Sequence, residues 1–317
     1  MTPPVLHSST PLLVVGSIAF DDLEMPTGTF GNVLGGAATY SAIAATLLCP
    51  SVRLVGVIGD DFADSHLTVL RERGVDTAGV ERAKGKTFRW RGRYSQDLAS
   101  RTTLETQLNV FADFAPKIPK DFRASPLVLL GNIHPRLQLD VLDQVDKPAL
   151  VAADTMNFWI SGEPNLLAQV LSRIDLLVIN DEEARQLAGV HNITKAAKDI
   201  RARGPKRLII KRGEHGALLF DEHGTFFVPA YPLEDVVDPT GAGDTFAGGL
   251  LGYLARHGEL TPSSLRRAMF FGSAVASFCV EGIGPRRLLD ARKADLGHRI
   301  DGFARMVDYG GALALAD

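Results

Sequence analysis

The chain has 317 residues, enough for one large α/β domain or two smaller ones. With 45% hydrophobic residues, 22% charged residues and a formal net charge of −3, it has no global basic field for nucleic acid or an acidic membrane surface. Cys49 and Cys279 are far apart and lack CxxC spacing, which argues against a disulfide framework or a zinc site and for free thiols in a reducing compartment. Residues 1–10 have no basic start followed by a signal-length apolar run, and the apolar segment at 12–20 is broken by Gly16 and Ser17 and too short to span a bilayer. The expectation is a soluble cytoplasmic protein.

In chain order, Leu12–Val15 reads as a first strand, 37–48 as a helix, Val52–Ile58 as a second strand and 63–73 as a second helix. Further strand-length apolar runs follow at Leu127–Leu130, 149–153, 175–180 and Arg207–Lys211, with helical patterns at 166–173, 182–188 and 194–202. Runs apolar on both faces are expected of parallel strands covered by helices, and the alternation predicts a doubly wound, mostly parallel α/β sheet. Ligands of such sheets bind beyond the carboxyl ends of the strands. That rule gathers Gly16, Asp21, Gly59, Asp60, Gly131, Asp154, Asn180 and Gly213 at one rim. The last third reads as two helices, 245–257 and 262–280, the second starting at Pro262 and Ser263.

Two segments break the alternation. In Lys86 to Tyr94, Phe88, Trp90 and Tyr94 share one parity and Arg89, Arg91 and Arg93 the other, as in a half-exposed strand. The stretch 102–111, rich in Thr, Val and Phe, is a partner for it. Together with 20–34 these segments predict a small antiparallel sheet usable as a lid. The organisation expected is one domain over 1–317, with lid segments at about 19–34 and 86–112 inserted in it.

The chemistry concentrates in Asp238-Pro239-Thr240-Gly241-Ala242-Gly243-Asp244, followed at once by an apolar helical run. Gly241 to Gly243 can bring backbone N–H groups close to an anion at a helix start. A carboxylate at Asp244 would repel that anion, unless its role is to take a proton from a hydroxyl while the amides hold the charge. The stretch points to phosphoryl transfer to an alcohol. It resembles the second signature of the PfkB/ribokinase family of carbohydrate and nucleoside kinases. The resemblance implies a ribokinase-like α/β fold with a β lid, ATP as phosphoryl donor, Asp244 as catalytic base and the Gly241, Ala242 and Gly243 amides as anion hole.

Other places match the family in order along most of the chain. Gly35-Gly36 before a helix resembles the first signature and implies contact with the acceptor, although Tyr40 and Ala19 stand where the family usually has Asn. Asp21 matches an Asp that accepts hydrogen bonds from substrate hydroxyls, with Asp22 adjoining it. Asn180 and Glu183 match an Asn-x-x-Glu motif that implies Mg²⁺ and its water shell, against the plain reading of a helix cap. Lys211 and Gly213 fall where the family touches the nucleotide, with Asp238 and Thr240 beside them. Gly282 and Gly284 resemble a loop that closes over the base and in some relatives holds a monovalent cation with Asp238. Asp154 matches only loosely, as a support for the phosphates.

Competing motifs fail on spacing. Gly85-Lys86-Thr87 ends like a P-loop, yet residue 80 is Val. Gly16 lacks the following glycines of a dinucleotide fingerprint, and no HExxH is present. The resemblance implies a sugar or polyol as the acceptor. The alternatives are a nucleoside, with Phe20, Tyr40 or Trp90 stacking on the base, and a non-catalytic ligand binder on the same fold. Arg89, Arg91 and Arg93 form either a solvated lid face or a site for an anionic substrate group. The resemblance further implies a homodimer through the lid sheets, whose exposed edges invite pairing.

Overall fold

The computed structural model describes residues 10–308; residues 1–9, on which the reading of the N-terminal segment falls, and 309–317 lie outside the described residues. A nine-stranded sheet forms the body. Its strands are β1 (Leu12–Val15), β4 (Val52–Ile58), β5 (Val75–Arg82), β8 (Leu127–Leu130), β9 (Leu150–Ala153), β10 (Leu176–Asn180), β11 (Arg207–Lys211), β12 (Ala217–Asp221) and β13 (Gly224–Val228). They lie in the order β13-β12-β11-β10-β9-β8-β1-β4-β5. All neighbours run parallel except β11–β12 and β12–β13, a hairpin that finishes one edge.

Alternate residues of β1 feed two separate cores. Leu12 and Val14 face one layer and Leu13 and Val15 the other, and all four are fully buried. The first layer contains α1 (Ala37–Thr46), α9 (Ala242–His257) and α10 (Pro262–Cys279). The second contains α4 (Pro135–Leu142), α6 (Pro164–Leu171), α7 (Asp181–Ala188) and α8 (Ile193–Ala202). Helices α2 (Asp64–Glu72), α3 (Lys120–Arg123), α5 (Asn157–Gly162), α11 (Arg286–Asp290) and α12 (Lys293–Val307) complete the chain. No described helix is long and apolar enough to cross a membrane, and both cysteines are free and buried.

The predicted lid is a second sheet, ordered β3-β2-β6-β7 and built from β2 (Ala19–Met25), β3 (Gly28–Gly35), β6 (Phe88–Tyr94) and β7 (Arg101–Gln107). It is mixed, not antiparallel. β2 and β6 pair in parallel, because the chain passes through α1, β4, α2 and β5 before it returns to the lid. Asp60 and Asp61 lie at the base of the lid, where they accept hydrogen bonds from the Gly85 and Thr87 amides at 3.1 and 2.7 Å.

The outer face of the lid is a set of ion pairs. Arg89 meets Asp22 at 2.8 Å, while Arg91 and Arg93 both meet Glu24 at 2.6 Å. This geometry favours the solvated face over a site for an anionic substrate group. It also separates the two adjacent aspartates, since Asp22 faces the arginines while Asp21 turns inward and is buried.

The small residues of α9 allow close helix packing. A side chain at Gly248 would enter the Ser41 backbone of α1, and a Cβ at Gly252 would lie 2.9 Å from the Ala45 Cα. Gly248→Ala should therefore lower stability by about 1–3 kcal/mol, as overpacking does. Gly297→Ala in α12, where a Cβ meets open space, should instead be neutral or gain up to about 1 kcal/mol. Thermal melting of both variants checks this; an unchanged melting temperature for Gly248→Ala would contradict the α1–α9 contact.

Candidate active site

The site grows from the start of α9. Gly241 takes a left-handed conformation, φ 75°, and acts as N-cap without a side-chain hydrogen bond, so no side chain caps the amides that open the helix, although the Ala242 amide donates to the Pro239 carbonyl at 3.2 Å. Two side chains fit the space that its glycines leave. The Tyr40 ring lies under Gly241, where a Cβ would stand 2.5 Å from it, and the Lys211 ammonium lies against Gly243, where a Cβ would stand 2.7 Å away. Asp244 follows in the first helical turn, its carbonyl accepting a hydrogen bond from the Ser41 hydroxyl at 3.0 Å.

Asp238 holds two loops together. One carboxylate oxygen accepts the Thr240 amide at 2.9 Å and the other the Gly284 amide at 2.8 Å, and the side chain is fully buried. The loop of Gly282 and Gly284 is thereby tied to the loop of Gly241 to Gly243. Ile283 packs with Leu23, Met25, Val33 and Tyr94 of the lid. Tyr94 also hydrogen-bonds Thr240, the two hydroxyls 2.8 Å apart and buried. The lid and the phosphate-type loop are joined at this point.

Asp21 enters the same space from β2. Its carboxylate occupies the volume that a side chain at Gly35 would need, while Gly36 has φ 96° and approaches the Ser17 backbone too closely for any Cβ. Ser17 then caps α1 through the Ala37 amide at 3.0 Å. This explains the paired glycines in terms of space: one makes room for Asp21 and the other for the chain crossing. Burial first, and then the charges of Asp238, Asp244 and Asp22, push Asp21 from 3.8 up to about 8.

A second group of charges stands at the ends of β9, β10 and β11. Lys211 and Asp154 form an ion pair at 3.3 Å, both well shielded from solvent. Burial alone would lower the Lys211 ammonium, but Asp154, Glu183 and Asp244 together hold it above its ordinary value. Burial and Asp154 push Asp244 up to about 7, against the opposing charges of Lys211 and Arg101. Glu183 is raised by the same two causes, burial first.

Asn180 and Glu183 make a capping box at the start of α7. The Asn180 side chain accepts the Glu183 amide and the Glu183 side chain accepts the Asn180 amide, each at 2.8 Å. The plain reading of these residues thus holds in the structure, and it leaves Glu183 facing Asp154 and Lys211. Among the described residues no three metal-ligating side chains converge. Gly213 lies in the turn after β11, at φ 54° with nothing near its Cα hydrogens.

The structure therefore brings Asp21, Asp238, Asp244, Lys211 and the Gly35-Gly36 and Gly241–Gly243 turns together. It buries Tyr40 at 1% exposure among core residues, its hydroxyl without a hydrogen-bond partner. Two participants escape sequence reasoning. Tyr94 is legible as a lid aromatic, but not as the link to Thr240. Arg101 sits just before the stretch read as a strand, and its charge reaches Asp21, Glu183 and Asp244.

Comparison with known proteins agrees with this fold. The profile of the pfkB family of carbohydrate kinases matches residues 11–292. A cytidine kinase of Thermococcus kodakarensis is 32% identical over 250 residues, which is 77% of this chain and 88% of that protein. A deoxyribokinase of Salmonella typhi is 26% identical over 278 residues, 83% of this chain and 86% of that protein. Among solved structures, a putative ribokinase II of E. coli in complex with ATP and Mg²⁺ superposes with a TM-score of 0.73 at 21% identity, over 92% of this chain and 99% of that one. The chain belongs to the pfkB family of carbohydrate kinases, phosphotransferases whose acceptor is an alcohol group.

Proposed function

We propose that the protein transfers the γ-phosphoryl group of ATP to a hydroxyl of a sugar, either free or carried in a nucleoside. The observation that carries this reading is the Asp244 carboxylate, raised to about 7 in the first turn of α9 beside the Gly241–Gly243 amides. A general base works best when its pKa lies near the working pH. The nucleoside form has specific support in the likeness to a cytidine kinase over 77% of the chain. Of the three aromatics expected to stack on a base, Phe20 and Tyr40 are buried, while Trp90 keeps exposed surface on the lid.

In this mechanism acceptor hydroxyls hydrogen-bond Asp21 and replace the water that its buried carboxylate lacks. Asp244 takes the proton of the reacting hydroxyl as the oxygen attacks the γ-phosphorus. The Gly241, Ala242 and Gly243 amides, backed by the α9 dipole and Lys211, hold the negative charge of the phosphoryl group. Asp238 and Thr240 set the geometry of that loop, and Gly213, Gly282 and Gly284 lie where backbone can border the nucleotide.

Glu183, and Asp154 across from it, fit a Mg²⁺ that is held mainly by phosphate and water, since their mutual repulsion in a buried place favours a cation there. When bound, that ion would neutralise phosphate charge. Both oxygens of Asp238 are taken by backbone amides, which gives no support to a monovalent cation held by this side chain.

A coupled ADP-release assay over sugars, polyols and nucleosides, with Mg²⁺ present, tests the reading. Acceptor-dependent ADP formation is expected; its absence with every acceptor would favour a silent ligand binder. Asp244→Asn should lower kcat by about 10²-fold or more while ATP still binds. Near-normal turnover would remove Asp244 from its role.

In the wild type, kcat/KM should fall as pH drops below about 7 to 8, because Asp21 and Asp244 both act as carboxylates and both are raised. The Asp21 group also acts on stability. Its contribution is fully present below 3.8 and is lost as pH rises through about 8, since the folded state then buries a charge. Asp21→Asn should therefore melt progressively higher than wild type as pH rises across that window while losing acceptor binding. A constant difference in melting temperature at all pH values would contradict the burial of this charge.

A further inference from the structure

The inner face of the lid carries one cation that the outer ion pairs do not use. Asp21, Trp90 and Tyr94 all point inward: Asp21 pairs directly with Trp90 across the β2–β6 ladder, and Tyr94 reaches Thr240. Arg101 opens β7 directly opposite Tyr94, and opposed residues of an antiparallel pair project from the same face. Its guanidinium lies over the Trp90 ring, 5.8 Å from the centroid. The Trp90 ring itself leans across Gly92, into space where any side chain would collide with it. A row therefore runs along the inner face from Asp21 through Trp90 to Arg101, ending beside the loop that starts at Thr240.

Arg89, Arg91 and Arg93 are each paired with an acid on the outer face, whereas among the described residues Arg101 has no carboxylate within ion-pair distance and is solvent-exposed. Its charge nevertheless reaches both Asp21 and Asp244, the two groups between which phosphoryl transfer would take place. The guanidinium rests on the indole face and also interacts with the Tyr94 hydroxyl, the group that meets Thr240, so it is held beside the loop by neutral partners that a stronger anion can replace.

We propose that Arg101 is a catalytic residue, a lid-borne arginine that binds the equatorial oxygens of the phosphoryl group during transfer. The proposal rests on the kinase reading above. In the step, the acceptor oxygen forms a bond to the γ-phosphorus and its proton goes to Asp244. The bond from phosphorus to the β–γ bridging oxygen breaks, and its electron pair leaves with ADP. Charge spread over the three equatorial oxygens meets the amides of Gly241 to Gly243 from the α9 side and Arg101 from the lid side. With the lid open this cation is withdrawn, so ATP without acceptor lacks part of the machinery and hydrolysis is suppressed.

The test uses an acceptor on which the full-length wild type releases ADP. Arg101→Ala should lower kcat by about 10³-fold, the lower end of what such an arginine contributes, with little change in KM for acceptor or ATP. Arg101→Lys should keep part of the activity, and free guanidinium should partly restore Arg101→Ala. Asp244 is faced by Asp154, Asp21, Lys211, Arg101 and Cys279; removing Arg101 takes away one of its two opposing cations, so the acid limb of the kcat profile should move to higher pH.

A binding measurement completes the test without turnover. ADP with aluminium fluoride, a mimic of the transferring group, should lose its advantage over ADP alone in Arg101→Ala, as followed by tryptophan emission. An unchanged kcat, an effect confined to the KM of the acceptor, or an unchanged preference for the aluminium fluoride complex would each overturn the proposal. Melting curves of both variants show whether the fold is kept, and Arg101→Lys carries the test if Arg101→Ala melts early. If the wild type itself releases no ADP with any acceptor, it is the kinase reading that fails.

Discussion

The structure is organised around a concentration of like charge. Asp21 of β2, Glu183 of α7, Asp244 of α9 and the loop residues Asp154 and Asp238 come together at one rim of the sheet, where Lys211 is the buried cation among them. Burial is the first cause that raises Asp21, Glu183, Asp238 and Asp244, and repulsion by neighbouring carboxylates adds to it at Asp21, Glu183 and Asp244. Such a cluster opposes folding and persists because the two cores on either side of the sheet hold its elements in place. It also prepares the rim for what this family handles, a cation-accompanied polyphosphate and an alcohol that must lose a proton. Strain of this kind is expected at a site where function overrides stability.

Space is the second constraint. The carboxylate of Asp21, the ring of Tyr40 and the ammonium of Lys211 each occupy volume that Gly35, Gly241 and Gly243 leave empty. The glycines of the motifs thus serve two purposes at once: they expose amides and they admit a neighbouring side chain. Gly248 and Gly252 extend the same logic down α9, where they let α1 approach and carry Tyr40 under the anion loop. The α1 end of the site and the α9 end, about 200 residues apart in sequence, are positioned by this one helix contact, as the Ser41 to Asp244 hydrogen bond shows (203 residues apart).

Much of this was legible in the chain. Runs apolar on both faces announced the parallel strands, and the body of the sheet formed where they stood. The lid segments were also readable, because two-residue periodicity is a local signal. The edge strands β5 and β13 were not anticipated, since partly exposed strands lack a continuous apolar run, and β12 beside β13 was passed over although Ala217 to Phe220 is one. The parallel joint between β2 and β6 was missed for another reason: strand direction depends on the path of the chain between them. Likewise, nothing local distinguishes Asp21 from Asp22 until the sheet turns one towards the glycines and the other towards Arg89.

What the sequence determined by itself was the glycine turn that opens α9 and the order of motifs around it, because glycines and a carboxylate at fixed spacing act over a few residues. Tertiary structure decided the partnerships. It turned Arg89, Arg91 and Arg93 into ion pairs on the outer lid face, placed Tyr40 under Gly241 and set Arg101 over Trp90. Each of these depends on which distant element lies opposite, and that is set by the packing of the two cores and the closure of the lid rather than by any run of neighbouring residues.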